Sequence, residues 1–152
     1  MGIKSGDLAP DFTLPTQDGT DLALRDLLRK GPVVLYFYPM DSTPGCTAEA
    51  RSFRDAYEDF RKIGAEVIGV SSQSPQSHQG FAHENCLPFA LVSDQGGKVR
   101  ELYGVPKAFG VLPGRTTYVI DREGIVRHAF HSQLRINRHV QEALSALASL
   151  GR

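Results

Sequence analysis

Apolar and polar positions along the chain change period several times, and each change marks an element. From Asp11 to Leu22 they alternate about Gln17-Asp18-Gly19, a turn signal, which predicts a small N-terminal β-hairpin. Leu24-Arg25-Asp26-Leu27-Leu28 then predicts a short helix stopped by Gly31. Pro32 to Tyr38 is an unbroken apolar and aromatic run, the pattern of a strand covered on both faces. A longer helix is predicted from about Pro44 to Ile63. Thr43 can cap it, Pro44 suits its first position and Gly64 ends it. Phe53, Tyr57, Phe60 and Ile63 recur at helical spacing and should face the core.

Glu66 to Ser71 reads as a second buried strand, and Ser74-Pro75 opens a helix running to about Asn85, closed before Leu87-Pro88. Phe89 to Val92 is a third strand, followed by the loop Ser93 to Gly97 and a short helix around Lys98 to Tyr103. Thr116 to Ile120 and Ile125 to Phe130 flank Asp121-Arg122-Glu123-Gly124 and predict a second hairpin. Asn137 is placed to cap a final amphipathic helix with Val140, Leu144 and Leu147 on one face. Strands alternating with helices, with one late hairpin, predict a three-layer α/β sandwich around a mixed central sheet, all of 1–152 forming one domain. Active loops of such sheets lie at the carboxyl ends of strands. Cys46 follows the strand that ends at Tyr38.

Composition narrows the setting. A chain of 152 residues can bury a self-sufficient core without staples. Acidic and basic residues number 17 each, so no global field favours nucleic acid or an anionic membrane. The longest apolar runs are strand-length, too short to span a bilayer. Met1 to Asp7 has no apolar h-region, and Gly6 stands where myristoylation wants Ser or Thr. Two cysteines are no disulfide scaffold and point to a reducing cytosol and redox work. A cytoplasmic location is the expectation.

The chemistry concentrates in one loop. The strand ending at Tyr38 leads through Pro39-Met40-Asp41-Ser42-Thr43-Pro44-Gly45 to Cys46 at the start of a helix. There the positive end of the backbone dipole and amides without intrahelical partners favour a thiolate, the reactive form of sulfur. Thr43-Pro44-Gly45-Cys46 has the outline of a C-x-x-C redox site with Thr in place of the first cysteine. Such a pair swaps disulfides, whereas a lone thiolate beside a hydroxyl suits attack on a small electrophile. The Thr43 hydroxyl both accepts and donates, so it could hold a peroxide oxygen while bonding the sulfur. Pro39 would shield the strand end from water. Against this stands the plainer reading of a buried, inert cysteine.

Other chemistry is poorly supported. His78, His83, His128, His131 and His139 show no metal spacing, and most read as exposed, solvated side chains. Gly110-Val111-Leu112-Pro113-Gly114 is a loop without a phosphate signature. A cysteine-protease reading would require a histidine base beside Cys46.

Pro39-x-x-x-Thr43-x-x-Cys46 resembles the peroxiredoxin signature P-x-x-x-[T/S]-x-x-C. The stretch Phe37 to Ala50 resembles that of the peroxiredoxin Q group, also called bacterioferritin comigratory protein. Asp7-x-Ala9-Pro10-Asp11-Phe12-Thr13-Leu14 and Arg115-Thr116-Thr117-Tyr118-Val119-Ile120-Asp121 are similar to that family's start and late strand. The resemblance implies a thioredoxin-like fold and a cofactor-free, metal-free cysteine peroxidase acting on hydrogen peroxide and organic hydroperoxides. Cys46 would be the peroxidatic thiolate and become a sulfenic acid. Thr43 and the Cys46 amide would position the peroxide, Arg115 would favour the thiolate and stabilise the transferring oxygen, and Glu49 would orient Arg115. Thioredoxin or a glutaredoxin-like reductant would recycle the enzyme, which would be a monomer.

The same group often carries a resolving cysteine five residues after the first, but Arg51 stands there. Cys86 is the one other thiol, at or just past the end of the following helix. A bond to Cys46 needs Cα atoms within roughly 7 Å and hence some local unwinding. The Ser/Gln-rich stretch from Ser71 to Gln79 and Gly80 are expected to offer little apolar anchoring against it. If Cys86 has no redox role, an external thiol reduces Cys46 directly. Met40 occupies a position that is often Lys in this family. The competing class is a thiol-based redox sensor or chaperone-like binding protein without sustained turnover.

Overall fold

A computed structural model describes residues 2–107 and 114–150. Residues 110–113 of the glycine-bounded loop singled out above lie outside the described residues. Two short antiparallel strands, β1 (Thr13–Pro15) and β2 (Asp21–Ala23), form the N-terminal hairpin, and α1 (Leu24–Leu28) follows directly. The main sheet is built from β3 (Val33–Phe37), β4 (Glu66–Ser71), β5 (Ala90–Ser93), β6 (Thr116–Ile120) and β7 (Val126–His131), in the order β5-β4-β3-β6-β7. β3, β4 and β5 run parallel, while β6 is antiparallel to β3 and to β7. The parallel half needs crossover helices, and α2 (Pro44–Asp55), α3 (Tyr57–Ile63) and α4 (Pro75–Glu84) supply them. α5 (Lys98–Tyr103) and α6 (Ile136–Leu150) complete the mixed three-layer sandwich.

Every residue of β3 is buried, as its apolar run requires. Val34 and Tyr36 face a core completed by Phe53 of α2, Phe60 of α3, Phe81 of α4 and Leu147 of α6. Val33, Leu35 and Phe37 face the opposite core with Phe12, Leu24 and, from α5, Val99 and Tyr103. Tyr36 stacks on Phe53 with ring centroids 4.4 Å apart, which ties α2 to the central strand. Truncating a ring buried this deeply to Ala costs about 3–5 kcal/mol.

The structure departs from the sequence expectations at several points. The single helix expected from Pro44 to Ile63 is divided at Ala56, whose ψ of 0° leaves the helical range. Phe53 and Phe60 still reach the core across that break, but Ile63 does not and is 43% exposed. The helix is already ending there. Gly64 takes φ +88°, Ala65 N–H returns to the Phe60 carbonyl, and Ala65 covers the core instead. α6 starts at Ile136, so Asn137 lies inside it rather than capping it, and its Oδ1 accepts from Ser52 Oγ at 3.3 Å. β5 begins one residue later than expected, at Ala90. Among the described residues no helix is long and apolar enough to cross a membrane.

Candidate active site

β3 ends inside the sheet, and the chain must leave it through Pro39 to Thr43 before α2 can start. A buried polar network holds that loop from beneath. Tyr38 Oη donates to Asp41 Oδ1 at 2.6 Å, and Ser77 Oγ donates to Asp41 Oδ2 at 2.7 Å. His78 Nδ1 lies 2.7 Å from Asp41 Oδ2, and His78 Nε2 lies 3.1 Å from the Val92 carbonyl. Burial works against the Asp41 charge, but the bonds from His78, Tyr38 and Ser77 hold its carboxyl below the usual range. Ser42 adopts φ +63° at the apex of the turn. Pro39 is half-buried and Met40 exposed, so the loop carries one flank to the interior and one to solvent.

Pro44 opens α2, and Thr47 N–H to Thr43 O at 2.8 Å is its first intrahelical bond. The amides of Gly45 and Cys46 therefore lie ahead of the ladder, at the positive end of the helix. Thr43 occupies the cap position with extended backbone, but its hydroxyl makes no cap bond. It donates instead to Met40 O at 3.1 Å, which tightens the turn and corrects the expected cap. Cys46 is a free thiol and only 1% exposed.

The described hydrogen bond to its sulfur comes from Arg115, whose Nη2 lies 3.5 Å from Sγ. Antiparallel register explains the meeting. Phe37 pairs with Thr116, so Arg115 at the head of β6 stands beside the end of β3. Arg115 Nη1 donates to Glu49 Oε1 at 2.5 Å, and Glu49 sits one helical turn after Cys46. Both charged side chains are almost wholly buried. Gly45 makes room for them: a Cβ there would lie 3.2 Å from Arg115 Nη2 and 3.3 Å from Ile136 Cδ1. Burial pushes the Glu49 carboxyl up to about 7 against the pull of Arg115. Burial also lowers the Arg115 guanidinium, yet attraction to Glu49 and to a Cys46 thiolate holds it above its ordinary value.

His139 borders the same cluster. Its Nε2 faces the Ser132 carbonyl at 2.8 Å, which can only accept, so Nε2 carries the proton. Nδ1 then accepts from the Thr117 hydroxyl at 2.7 Å. Burial drops His139 to about 4, and the neutral ring presents no donor to Glu49 Oε2, 3.7 Å away. Among the described residues that oxygen has no hydrogen-bond partner. His139 is therefore a neighbour of Glu49 and not its ion pair, and both of its ring nitrogens are committed elsewhere than to Cys46. Neither His78 nor His139 is solvated as expected, because each nitrogen has an internal partner. His139 shares a face of α6 with Val140, Ala143 and Leu147, and that spacing was the available signal for its burial.

Cys86 is also a free thiol, but exposed and just beyond α4, with φ +52°. Arg51, standing where the resemblance puts a cysteine, donates Nε to Asn85 Oδ1 at 2.9 Å. Arg54 Nη1 donates to the Asn85 carbonyl at 3.0 Å. These bonds tether the residue before Cys86 to α2. The stretch expected to be weakly anchored is in fact held by polar contacts, including Asp41 N–H to Gln73 Oε1 at 3.1 Å, and by buried His78. Among the described residues no group of three His, Cys, Asp or Glu could hold a metal ion.

Comparison with known proteins gives this geometry its relatives. A profile described as the AhpC/TSA family matches residues 5–129. The chloroplastic peroxiredoxin Q of Populus jackii is 50% identical over 149 residues, covering 97% of this chain and 70% of that protein. The crystal structure of peroxidoxin BcpB from Mycobacterium tuberculosis superposes with a TM-score of 0.91 at 38% identity, covering 97% of this chain and 98% of that one. A bacterioferritin comigratory protein of Xanthomonas campestris, solved in work on its alkyl peroxide reduction activity, superposes at 0.84 with 33% identity, covering 93% and 92%.

Proposed function

Because the chain belongs to the AhpC/TSA family, within its peroxiredoxin Q group, and is thereby a thiol peroxidase, we propose that Cys46 is its peroxidatic residue and that hydrogen peroxide and organic hydroperoxides are its substrates. One observation carries the assignment: a buried sulfur at the start of α2 with the Arg115 guanidinium 3.5 Å away, itself oriented by Glu49. A buried cation next to the sulfur favours the thiolate, and the same cation lies where charge develops on the departing oxygen.

In the reaction the Cys46 thiolate attacks one oxygen of the peroxide. An S–O bond forms, the O–O bond breaks, and the leaving oxygen takes a proton to depart as water or an alcohol. Sulfur is oxidised by two electrons to the sulfenic acid while the peroxide is reduced. Gly45 and Cys46 amides, free of the helix ladder, are the donors available to the bound oxygens, and Thr43 fixes the turn that presents them. The alkyl peroxide activity named for the Xanthomonas protein supports including organic hydroperoxides.

Resolution then consumes the sulfenic acid. The Cys86 thiolate attacks the Cys46 sulfur, an S–S bond forms and the sulfenic oxygen leaves as water. Thioredoxin or a glutaredoxin-like dithiol returns both thiols by exchange. Cys46 is buried and Cys86 is tethered through Asn85, so this step follows release of the Arg51 and Arg54 bonds.

The test is stoichiometric. With a thioredoxin reducing system in excess, the protein should consume many equivalents of hydrogen peroxide. Consumption that stops after one equivalent under every reductant tried would identify a redox sensor instead.

A further inference from the structure

The β3–β6 ladder closes at Phe37 paired with Thr116, and beyond that rung the two strands part. One continues into the loop that carries Thr43 and Cys46, and the other comes from the segment that delivers Arg115. Each is held on its outer side, the Arg115 carbonyl by the Ser132 amide at 3.2 Å and the Tyr38 amide by the Val70 carbonyl at 3.0 Å. Among the described residues no backbone hydrogen bond past the last rung ties the two segments to each other.

A side chain bridges the gap. Arg100, half-buried on α5, donates Nη2 to the Tyr38 carbonyl at 2.9 Å and Nη1 to the Gly114 carbonyl at 2.9 Å. Tyr38 immediately precedes Pro39, and Gly114 immediately precedes Arg115. Two carbonyls facing one another can be joined only by donors, and the planar guanidinium fork offers two at fixed separation. Arg100 is held at both ends. Its guanidinium carbon lies 5.8 Å from the Phe37 ring centroid, and its backbone amide donates to Asp94 Oδ2 at 2.9 Å. Asp94 Oδ1 also accepts from the Val99 amide at 3.0 Å, which fixes the start of α5.

We propose that Arg100 is a positioning residue for the peroxidase site, acting as the missing rung between β3 and β6 and so fixing Arg115 against Cys46. The proposal rests on the peroxidase reading for its catalytic consequence, but the bridge itself is a property of the fold. Arg100 donates no bond to the sulfur in the structure and touches neither Thr43 nor Glu49 through a hydrogen bond. It acts on the site through two carbonyls. The charged and titratable groups around Arg100 are Asp94, the buried Tyr118 and a Cys46 thiolate. Burial lowers the guanidinium, and all three of those neighbours work against that lowering.

Arg100→Met keeps a stem over Phe37 and removes both donors. It should lower kcat/KM for hydrogen peroxide roughly 10- to 100-fold, the usual cost of misplacing a catalytic group by a fraction of an ångström to an ångström. Arg100→Lys keeps the charge but replaces the fork by a point donor, and should remain roughly tenfold below wild type. A second readout needs no peroxide. The rate of Cys46 alkylation by iodoacetamide is followed against pH, with Cys86→Ser as the background. Its acid limb should move to higher pH in Arg100→Met, in the direction given by an Arg115→Met control. If Arg100→Met does not fold, Arg100→Lys is read in its place.

Wild-type peroxide kinetics in both variants, with the alkylation limb unmoved, would overturn the proposal. Full activity in Arg100→Lys alone would also overturn it, because charge and not bridging would then account for the effect. A wild-type protein that consumes no peroxide contradicts the peroxidase reading, and the alkylation limb still decides the role of Arg100.

Discussion

Gly45→Ala separates activity from stability. The added Cβ would sit 3.2 Å from Arg115 Nη2 and 3.3 Å from Ile136 Cδ1, whereas carbon contacts relax at about 3.5–4.0 Å. The guanidinium cannot retreat toward Glu49, because Nη1 is already 2.5 Å from Oε1. It must swing, and a displacement of about 0.5 Å is what the contact distances require. Nη2 stands 3.5 Å from the sulfur, already a long contact, so a shift of this size changes its distance and angle to Sγ. A misplacement of this size should lower kcat/KM roughly tenfold. Stability should change much less, because Ala in the first turn of α2 favours the helix by up to about 1 kcal/mol while the crowding of Arg115 and Ile136 opposes it by a similar amount. Stopped-flow peroxide reduction and thermal unfolding, measured on the same preparation, give both numbers. Wild-type kcat/KM in a folded Gly45→Ala protein would refute the close approach of Arg115 to α2 as a catalytic requirement.

Arg115→Lys should cost roughly 100-fold in kcat/KM, since an ammonium cannot serve Glu49 and the sulfur with one rigid fork; retention of more than half the activity speaks against the role. Peptide mapping under non-reducing conditions after one equivalent of peroxide should find Cys46 joined to Cys86, whereas Cys46 trapped as the sulfenic acid beside a free Cys86 would mark one-cysteine chemistry. Glu49 has a folded-state value of about 7 against 4.5, so its contribution to stability is full below about pH 4.5 and is lost as pH rises through about 7. Glu49→Gln removes that slope, and the wild type should lose roughly 3 kcal/mol relative to the variant across this window. Denaturant titrations at pH 5 and pH 8 measure the difference; parallel curves for the two proteins would contradict the burial argument.

Much of this was legible in the chain because it is written locally. The run from Val33 to Phe37 needed no partner to declare a doubly covered strand, and Thr43-Pro44-Gly45-Cys46 declared a helix start with a thiol on it. The bend at Ala56 was hidden because Phe53 and Phe60 keep one helical period across it. The Thr43 hydroxyl had more than one acceptable role, and its bond to Met40 O, across a turn in which Ser42 takes φ +63°, is visible only in three dimensions. Arg115 against Glu49 depends on the register of β6 against β3, which the resemblance could suggest and the residues alone could not. The Arg51–Asn85 tether and the buried Asp41–His78 pair are contacts between helix and loop positions more than thirty residues apart, with no local pattern to announce them.

The most direct test of the central claim compares the first turnover of three proteins. Reduced wild type, Cys46→Ser and Cys86→Ser are each mixed with a slight excess of hydrogen peroxide, and peroxide loss is followed without added reductant. The account predicts rapid loss in the wild type and in Cys86→Ser, with Cys46 trapped as the sulfenic acid in the latter, and loss near the uncatalysed rate in Cys46→Ser. Rapid consumption by Cys46→Ser would contradict it.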